Sequence, residues 1–555
     1  MTLLNETLNG KNGQTTSMVN TKKLGKSSSY PTREAIEGWL IDKIADSLEI
    51  KPHEIDVQKD FADYGLDSVE AINISGELEN YLGCRLSPTL LWDYQSIEAL
   101  AKYLATPPDN NSFDGDANGL DVVSTIPELD LDDLNHSDGI KQDLGTDRAI
   151  PEEYYSFDKL PEYQKLQEDL KQVASLGNGN PFFVSQERVV NDTTVVDGRE
   201  LINFATYNYI GMCGDRKVDQ SAQNAIARYG TSASASRLIA GEKPLHRELE
   251  QAIANFIGAE DSIVMVGGHA TNVTTIGHLF GKDDLVLYDA LSHNSILQGC
   301  FTSGASLVAF PHNDFNTLAE ILRDRRPRYQ KVLIVIEGVY STDGDIADLP
   351  AFVALKKKYK TFLMVDEAHS MGTIGDTGRG ISEYFGVNPS DVDIWMGTLS
   401  KSFASCGGYI AGSKALIEYL KYTAPGFVFS VGMSPPNAGA TLAAIEVLKA
   451  EPQRAVQLQN NAKLFLSLAK EKGLNTGMSK DSPVIPIIVG NSLKSIQLSQ
   501  NMFKRGINVP FMIYPSVPQN GARLRFFVTC NHTEEQIRLT VDILAEELTK
   551  LNFNG

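Results

Sequence analysis

The 555-residue chain has only five cysteines, Cys84, Cys213, Cys300, Cys406 and Cys530, and no two form a C-x-x-C pair. That scatter excludes a disulfide scaffold and a tetrathiolate zinc site, so no metal is expected, and it suits a reducing cytoplasm. Long apolar runs are also lacking. Stretches such as Val332-Leu333-Ile334-Val335-Ile336 fall far short of the roughly 18 residues a membrane-spanning helix needs. The first 30 residues hold no apolar core segment, so no secretory signal is expected. Positive charge is scarce: 50 Lys and Arg stand against 70 Asp and Glu, and a net charge of −20 disfavours nucleic acid as a partner.

The charge is unevenly spread. Residues 1–30 carry four lysines and one glutamate, 31–107 carry 15 acidic and 6 basic side chains, and 109–150 carry 11 acidic and 2 basic ones. The acidity belongs to the front of the chain; residues 151–555 are close to neutral for their size. Residues 1–30, rich in Asn, Ser, Thr, Lys and Gly, are expected to be a disordered tail. Residues 31–107 read as a small acidic helical domain. Ile36, Trp39, Leu40, Ile44 and Leu48 share one face of a helix from about Glu34. A second helix is expected to start at Ser68, capped by Asp67 or Ser68, with Val69, Ile72 and Leu82 inward. A last helix carries Ile97, Leu100, Ala101 and Leu104 and stops at Pro107-Pro108. Residues 108–150 read as an acidic flexible linker, in which Leu129, Leu131 and Leu134 could dock.

From 151 onward, short apolar runs alternate with helical stretches: 263–266, 285–288, 307–310, 332–336, 362–365 and 394–396. This predicts an α/β sheet, mostly parallel and covered on both faces. A smaller α+β subdomain is expected over about 445–555, with a helix near 455–472 and strands at 484–489 and 524–528.

Chemistry concentrates at particular positions. Asp63-Tyr64-Gly65-Leu66-Asp67-Ser68 puts a hydroxyl at a helix N-terminus, where backbone N–H groups favour a phosphate ester. A plain helix cap is the bland alternative. In the large domain, Met364-Val365-Asp366-Glu367-Ala368-His369 places Asp366 at the C-terminal edge of a strand, where α/β sheets build sites and a carboxylate can pair with a protonated pyridine nitrogen. The Asp-Glu-Ala-His string also suits a helicase, but the chain has no G-x-x-x-x-G-K-[ST] phosphate loop. Gly397-Thr398-Leu399-Ser400-Lys401-Ser402-Phe403 sets small hydroxylated residues around one lysine, which fits a phosphate cradle beside a Schiff-base amine. A solvated loop lysine is the alternative; Phe403, Cys406 and Gly407-Gly408 turn the loop inward. In Leu291-Ser292-His293-Asn294-Ser295, His293 could stack on an aromatic ring or serve as a core histidine. Glu337-Gly338-Val339-Tyr340-Ser341-Thr342-Asp343-Gly344 brings Ser341 to the same edge.

Two resemblances follow from these residues. Residues 33–105 resemble the acyl carrier (phosphopantetheine-binding) family through Gly65-Leu66-Asp67-Ser68, which implies a four-helix all-α domain with 4′-phosphopantetheine on Ser68. Residues from about 200 to 545 resemble the α-oxoamine synthases, pyridoxal 5′-phosphate (PLP) enzymes of fold type I that join an amino acid to an acyl thioester. That resemblance implies Lys401 as the Schiff-base lysine and later proton carrier, Asp366 at the pyridinium nitrogen, and His293 stacked on the ring. It implies Ser341 and His369 at the ring hydroxyl, and Gly268, His269 and Thr398 at the phosphate. In Gly521-Ala522-Arg523-Leu524-Arg525, Arg523 would grip the amino-acid carboxylate. Thr206-Tyr207-Asn208-Tyr209-Ile210-Gly211 resembles the catalytic serine palmitoyltransferase branch, with Tyr207 and Asn208 toward substrate. Val431, in Phe429-Ser430-Val431-Gly432-Met433, departs from the hydroxyl or amide common there, leaving Ser430 to reach the neighbouring subunit's phosphate.

Together the resemblances imply condensation of an amino acid with an acyl thioester carried on the chain's own arm, and decarboxylation to an α-amino ketone. Serine is the first expectation; alanine, glycine and arginine stay open. About 42 linker residues give a reach of ~35 Å. A homodimer, a phosphopantetheinyl transferase and a natural-product or lipid pathway are expected, with polyketide or fatty-acid synthase components as candidate partners. The alternatives are an aminotransferase or aldolase-type enzyme on a carrier-bound substrate, and a carrier or docking module with an inert PLP domain.

Overall fold

The computed structural model describes residues 31–47, 50–59, 61–64, 74, 78, 81–82, 96–105, 150–175, 180–514 and 516–553. Ser68 with its helix start, Leu48, the tail and most of the linker lie outside the described residues.

At the front, the helix Arg33–Ser47 turns Ile36, Leu40 and Ile44 inward against Ile97, Leu100, Ala101 and Leu104 of the helix Ile97–Leu104. The i, i+3, i+4, i+7 spacing places all four of those residues on one buried stripe. Ser96 caps this helix by accepting the Ala99 N–H at 3.3 Å. Trp39 is half-buried and stacks on Tyr81 at 5.2 Å between centroids.

The body is built on a mixed sheet of seven strands, flanked by two smaller sheets. In chain order the strands are β1 (Thr193–Val196), β2 (Arg199–Asn203), β3 (Asp261–Met265), β4 (Leu285–Asp289), β5 (Ser306–Phe310), β6 (Val332–Glu337) and β7 (Phe362–Asp366). β8 (Ile394–Thr398), β9 (Gly408–Gly412), β10 (Val484–Ile488), β11 (Ile507–Asn508), β12 (Phe511–Met512) and β13 (Arg523–Phe527) follow. The large sheet runs β3-β9-β8-β7-β6-β4-β5. Within it only β9 runs against its neighbours. All six residues of β6 are buried, the signature of a strand covered on both faces. Separate apolar clusters occupy the two faces.

The apolar runs at 285–288, 307–310, 332–336, 362–365 and 394–396 fall within these strands, and 263–266 passes the end of β3 by one residue. β9 was not legible as a strand, because its Gly-Tyr-Ile-Ala-Gly sequence is short and bounded by glycine. Its pairing explains Gly397: a side chain there would run into the Tyr409 ring. The C-terminal sheet, β10-β13-β12, is antiparallel and lies among the helices Gln453–Glu471, Ser492–Lys504 and Glu534–Phe553. β11 pairs in parallel with β2, so residues near 200 are stitched to the C-terminal part. Among the described residues no helix is long and apolar enough to cross a membrane.

The sheet positions the chemistry. Asp289, Glu337, Asp366 and Thr398 end β4, β6, β7 and β8 at one edge, and Glu337 is the register partner of Asp366.

Candidate active site

Asp366 is buried with both oxygens fixed. Oδ1 accepts the Ala368 N–H at 2.9 Å and Oδ2 accepts from the Asn272 amide at 2.8 Å. The same amide nitrogen donates to Ser295 Oγ at 2.9 Å, and Ser295 Oγ lies 2.8 Å from His293 Nδ1. His293 caps the helix Asn294–Ser303, its Nδ1 also accepting the Ser295 backbone N–H at 3.2 Å. An Nδ1 that accepts a backbone N–H leaves the ring proton on Nε2. Burial, aided by the Lys401 and His269 charges and opposed by Asp366, lowers the affinity of His293 for a second proton. Its ring is held neutral and oriented.

Lys401 lies in the turn after β8, its Nζ 5.3 Å from the Tyr207 ring centroid. Burial brings its pKa down to about 8, against the pull of Asp366 and Glu337 and with help from Arg525. Burial drives the His369 imidazole well below its usual range, with Lys401 and Arg525 adding to the effect, and His369 Nδ1 meets the Tyr209 hydroxyl at 2.8 Å. Ser341 sits in the Tyr340–Asp345 turn, closed by the Gly344 N–H to Tyr340 O bond at 2.8 Å. Gly344 has φ +69°, and a side chain there would strike the Val484 carbonyl.

Gly268 and His269 open the 12-residue helix Gly268–Leu279, whose first N–H groups have no intrahelical partner. A Cβ on Gly268 would stand 2.7 Å from Thr398 Oγ1, so glycine keeps this cradle open. Ser430 lines a crevice with Met265 and Val266, the residues leading into Gly267-Gly268. Val431 beside it is 49% exposed.

Two expected substrate contacts fall elsewhere. Arg523 donates to Asp343 at 2.6 Å, to Gly521 O at 2.7 Å and to Thr342 O at 3.2 Å, so a buried carboxylate already holds it. Arg525, two residues on, donates to Ser341 O at 2.9 Å and reaches the Tyr207 hydroxyl at 3.5 Å. Its Nε is buried without a protein partner. Asn208 is turned into its own loop. Its Oδ1 accepts the Cys213 N–H at 3.0 Å, and its Nδ2 donates to Val190 O and Cys213 O at 3.3 and 3.2 Å. Tyr207 does join the site, stacking edge-on against Phe527 at 4.8 Å.

Several residues in this arrangement carried no local signal in the sequence. Glu337 accepts the His293 N–H at 2.5 Å, and burial, with Asp366 beside it, raises its pKa well above the carboxylate range. Asn272 and Ser295 link Asp366 to His293 through space alone. His312 bridges Asp289 and Asp345, with each ring nitrogen 2.8 Å from a carboxylate. That double pairing raises its pKa to about 10 despite burial.

The residues fit PLP. A buried carboxylate at a strand end, a depressed amine beside it, an oriented neutral imidazole and an N-terminal helix cradle kept open by Gly268 match the pyridine, aldehyde, ring face and phosphate of that cofactor.

Comparison with known proteins agrees. Residues 199–544 match the family model for aminotransferase class I and II, and residues 38–104 match that for the phosphopantetheine attachment site. Serine palmitoyltransferase 3 of Caenorhabditis elegans is 40% identical over 353 residues, covering 61% of this chain and 69% of that protein. An 8-amino-7-oxononanoate synthase of Thermoanaerobacter pseudethanolicus is 36% identical over 360 residues, covering 65% and 91%. The solved serine palmitoyltransferase of Sphingomonas wittichii superposes with a TM-score of 0.68 at 29% identity, covering 71% of this chain and 99% of that one. A solved SPT with PLP gives a TM-score of 0.68 at 30% identity, covering 70% and 98%. The body therefore has the fold of the type I PLP transferases, and the chain belongs to the α-oxoamine synthases, PLP-dependent acyltransferases, here joined to a phosphopantetheine attachment domain.

Proposed function

We propose that this enzyme condenses serine with an acyl group carried as a thioester on the phosphopantetheine arm of its own front domain. Loss of the serine carboxylate as carbon dioxide would leave an α-amino ketone. The observation that carries this reading is the joining of a phosphopantetheine attachment domain at 38–104 to a synthase body at 199–544 in one chain. Serine is favoured by relatives named serine palmitoyltransferase. Ser68 is the attachment residue, and a phosphopantetheinyl transferase must load it. A flexible tether presents its cargo at an effective concentration of order millimolar.

When bound, PLP supplies a conjugated sink for the electron pair left at the amino-acid α-carbon. Asp366 would hold the pyridine nitrogen, His293 would face the ring, His369 and Ser341 would hold the ring hydroxyl, and Gly268, His269 and Thr398 would hold the phosphate. Lys401, with its pKa brought down to about 8, gives up its own proton far more readily than a solvated lysine and in its neutral form can accept the α-proton. Arg525, rather than Arg523, grips the amino-acid carboxylate, because its buried Nε has no protein partner. The Nε2–H of His293 is available to the thioester carbonyl oxygen as charge builds there.

Pairing of two copies is part of the reading. Ile239, in the π-helical turn Arg237–Gly241, and Phe429 are 81% and 87% exposed on segments joined by the Ser236–Val431 bridge, and Ser430 next to Phe429 shares a crevice with Met265 and Val266, which lead into the Gly268 cradle. Exposed apolar tips of this size fit a subunit interface.

The test loads Ser68 with an acyl chain, supplies PLP and offers each amino acid in turn. Serine should discharge the arm and yield the α-amino ketone. Lys401→Ala should leave the arm loaded and make no product. Full turnover of a free coenzyme A thioester by Ser68→Ala, with no discharge of the arm in the parent protein, would reject in-cis delivery while keeping the condensation.

A further inference from the structure

At the sheet edge opposite Asp366 and Thr398, a cavity of about 500 Å³ opens beside the first residues of β7 and β8. Phe280, Phe362, Trp395, Leu416 and Tyr419 line it, with Phe362 42% and Tyr419 51% exposed. The volume lies inside the roughly 300–1,000 Å³ range of ordinary binding sites. The length of β7, about 13 Å, separates it from the catalytic edge, and none of its lining residues belongs to the active site.

A basic ridge adjoins this opening. The runs 323–331 and 356–360 hold nine cations and one acid, Asp324. They meet where Arg326 donates to Tyr359 O at 3.1 Å and Lys360 O at 3.2 Å, and Lys331 lines the cavity itself. Asp284, Asp393 and Asp391 pair with Lys331, Lys356 and Lys357, and the charged residues lining the cavity itself are Lys331, Asp393 and Glu260. Arg328, Lys358 and Lys360 remain exposed, so the ridge keeps a positive surplus.

One stretch of this chain outside the described residues carries the complementary chemistry. Ile126-Pro127-Glu128-Leu129-Asp130-Leu131-Asp132-Asp133-Leu134 interleaves four acids with apolar residues and contains no base. It ends 16 residues before Ile150. Sixteen residues span up to ~55 Å, about the diameter expected for a body of this size. We infer that this cavity, with the basic ridge beside it, seats residues 126–134 of the same chain, the leucines entering it and the carboxylates lying on the ridge. Apolar burial holds the segment, and the charges set its direction and make the seat sensitive to salt.

Cleavage of the full-length protein by an endoprotease cutting before aspartate tests this. Asp114, Asp116 and Asp121, upstream in the same linker, serve as internal reference for Asp130, Asp132 and Asp133. At low salt the second group should be cut about tenfold more slowly than the first, the ratio a 1.4 kcal/mol preference gives. The protection should weaken at high salt and in Arg328→Glu/Lys358→Glu/Lys360→Glu, and vanish in Leu129→Ser/Leu131→Ser/Leu134→Ser. The leucine changes lie outside the described residues, and unchanged thermal unfolding checks that the body stays folded. Equal cleavage of both groups in the parent protein overturns the inference, as does protection that survives the leucine variant or is unchanged in the charge variant. Protection lost on dilution assigns the seat to a second copy and overturns the in-cis form.

Discussion

Arg523 is locked to Asp343 by a 2.6 Å ion pair in which both side chains are at least nine-tenths buried. Removing one member leaves a buried charge, so Arg523→Ala should cost about 3–5 kcal/mol of stability. Arg525→Ala should instead lower the melting temperature less than Arg523→Ala does and lower kcat/KM for the amino acid by roughly 100-fold, as loss of a buried charge-assisted contact does. Thermal unfolding and steady-state kinetics on the two variants check this. A reversed outcome would return the carboxylate to Arg523.

Gly268→Ala should weaken PLP binding by about tenfold or more, because its methyl group would stand 2.7 Å from Thr398 Oγ1. Gly267→Ala is the paired control: its backbone is extended, with φ −164°, and a Cβ there meets nothing within 4 Å. Absorbance titration with PLP compares the two.

The rate at which PLP-stripped protein captures the cofactor should rise with pH and level off above about 8, as Lys401 loses its proton. Asp366 is the main group that raises the Lys401 pKa, so Asp366→Asn should move the midpoint to lower pH. An unchanged midpoint would show that the Asp366 charge does not reach the amine.

His312 offers a stability test. Its folded pKa of about 10 lies above the ordinary 6.5, so the stabilisation is full below pH 6.5 and is lost as pH rises through about 10. His312→Gln should therefore melt below the parent protein at neutral pH, and the gap should close above about pH 10. Taking the difference between the two proteins cancels tyrosines and lysines that titrate in the same range. A gap independent of pH would mean the imidazole acts through packing.

Sequence pattern exposed the strands because a doubly covered parallel strand must be continuously apolar, as β6 is throughout. The same rule put Asp366 at a strand end and Thr398 and Lys401 just beyond another. β9 escaped it, since a five-residue strand flanked by glycine has no periodic signal. So did the pairing of β2 with β11, whose register joins Ile202 to Ile507. Asn208 looked like a substrate contact from its place in Tyr-Asn-Tyr, but its amide is consumed by Val190 and Cys213.

By itself the sequence determined the class of sheet, the lysine, aspartate and histidines at its edge, and the acidic front joined to a near-neutral body. These are matters of residue type and local period. Only the tertiary structure decided which of Arg523 and Arg525 is committed, which nitrogen of His293 bears the proton, and how far the Lys401 amine is depressed. Each depends on groups remote in sequence: Asp343 lies 180 residues from Arg523, and Asn272 lies 94 from Asp366. A side chain's charge state and direction are set by its neighbours in space and by its distance from water, and no local pattern encodes either.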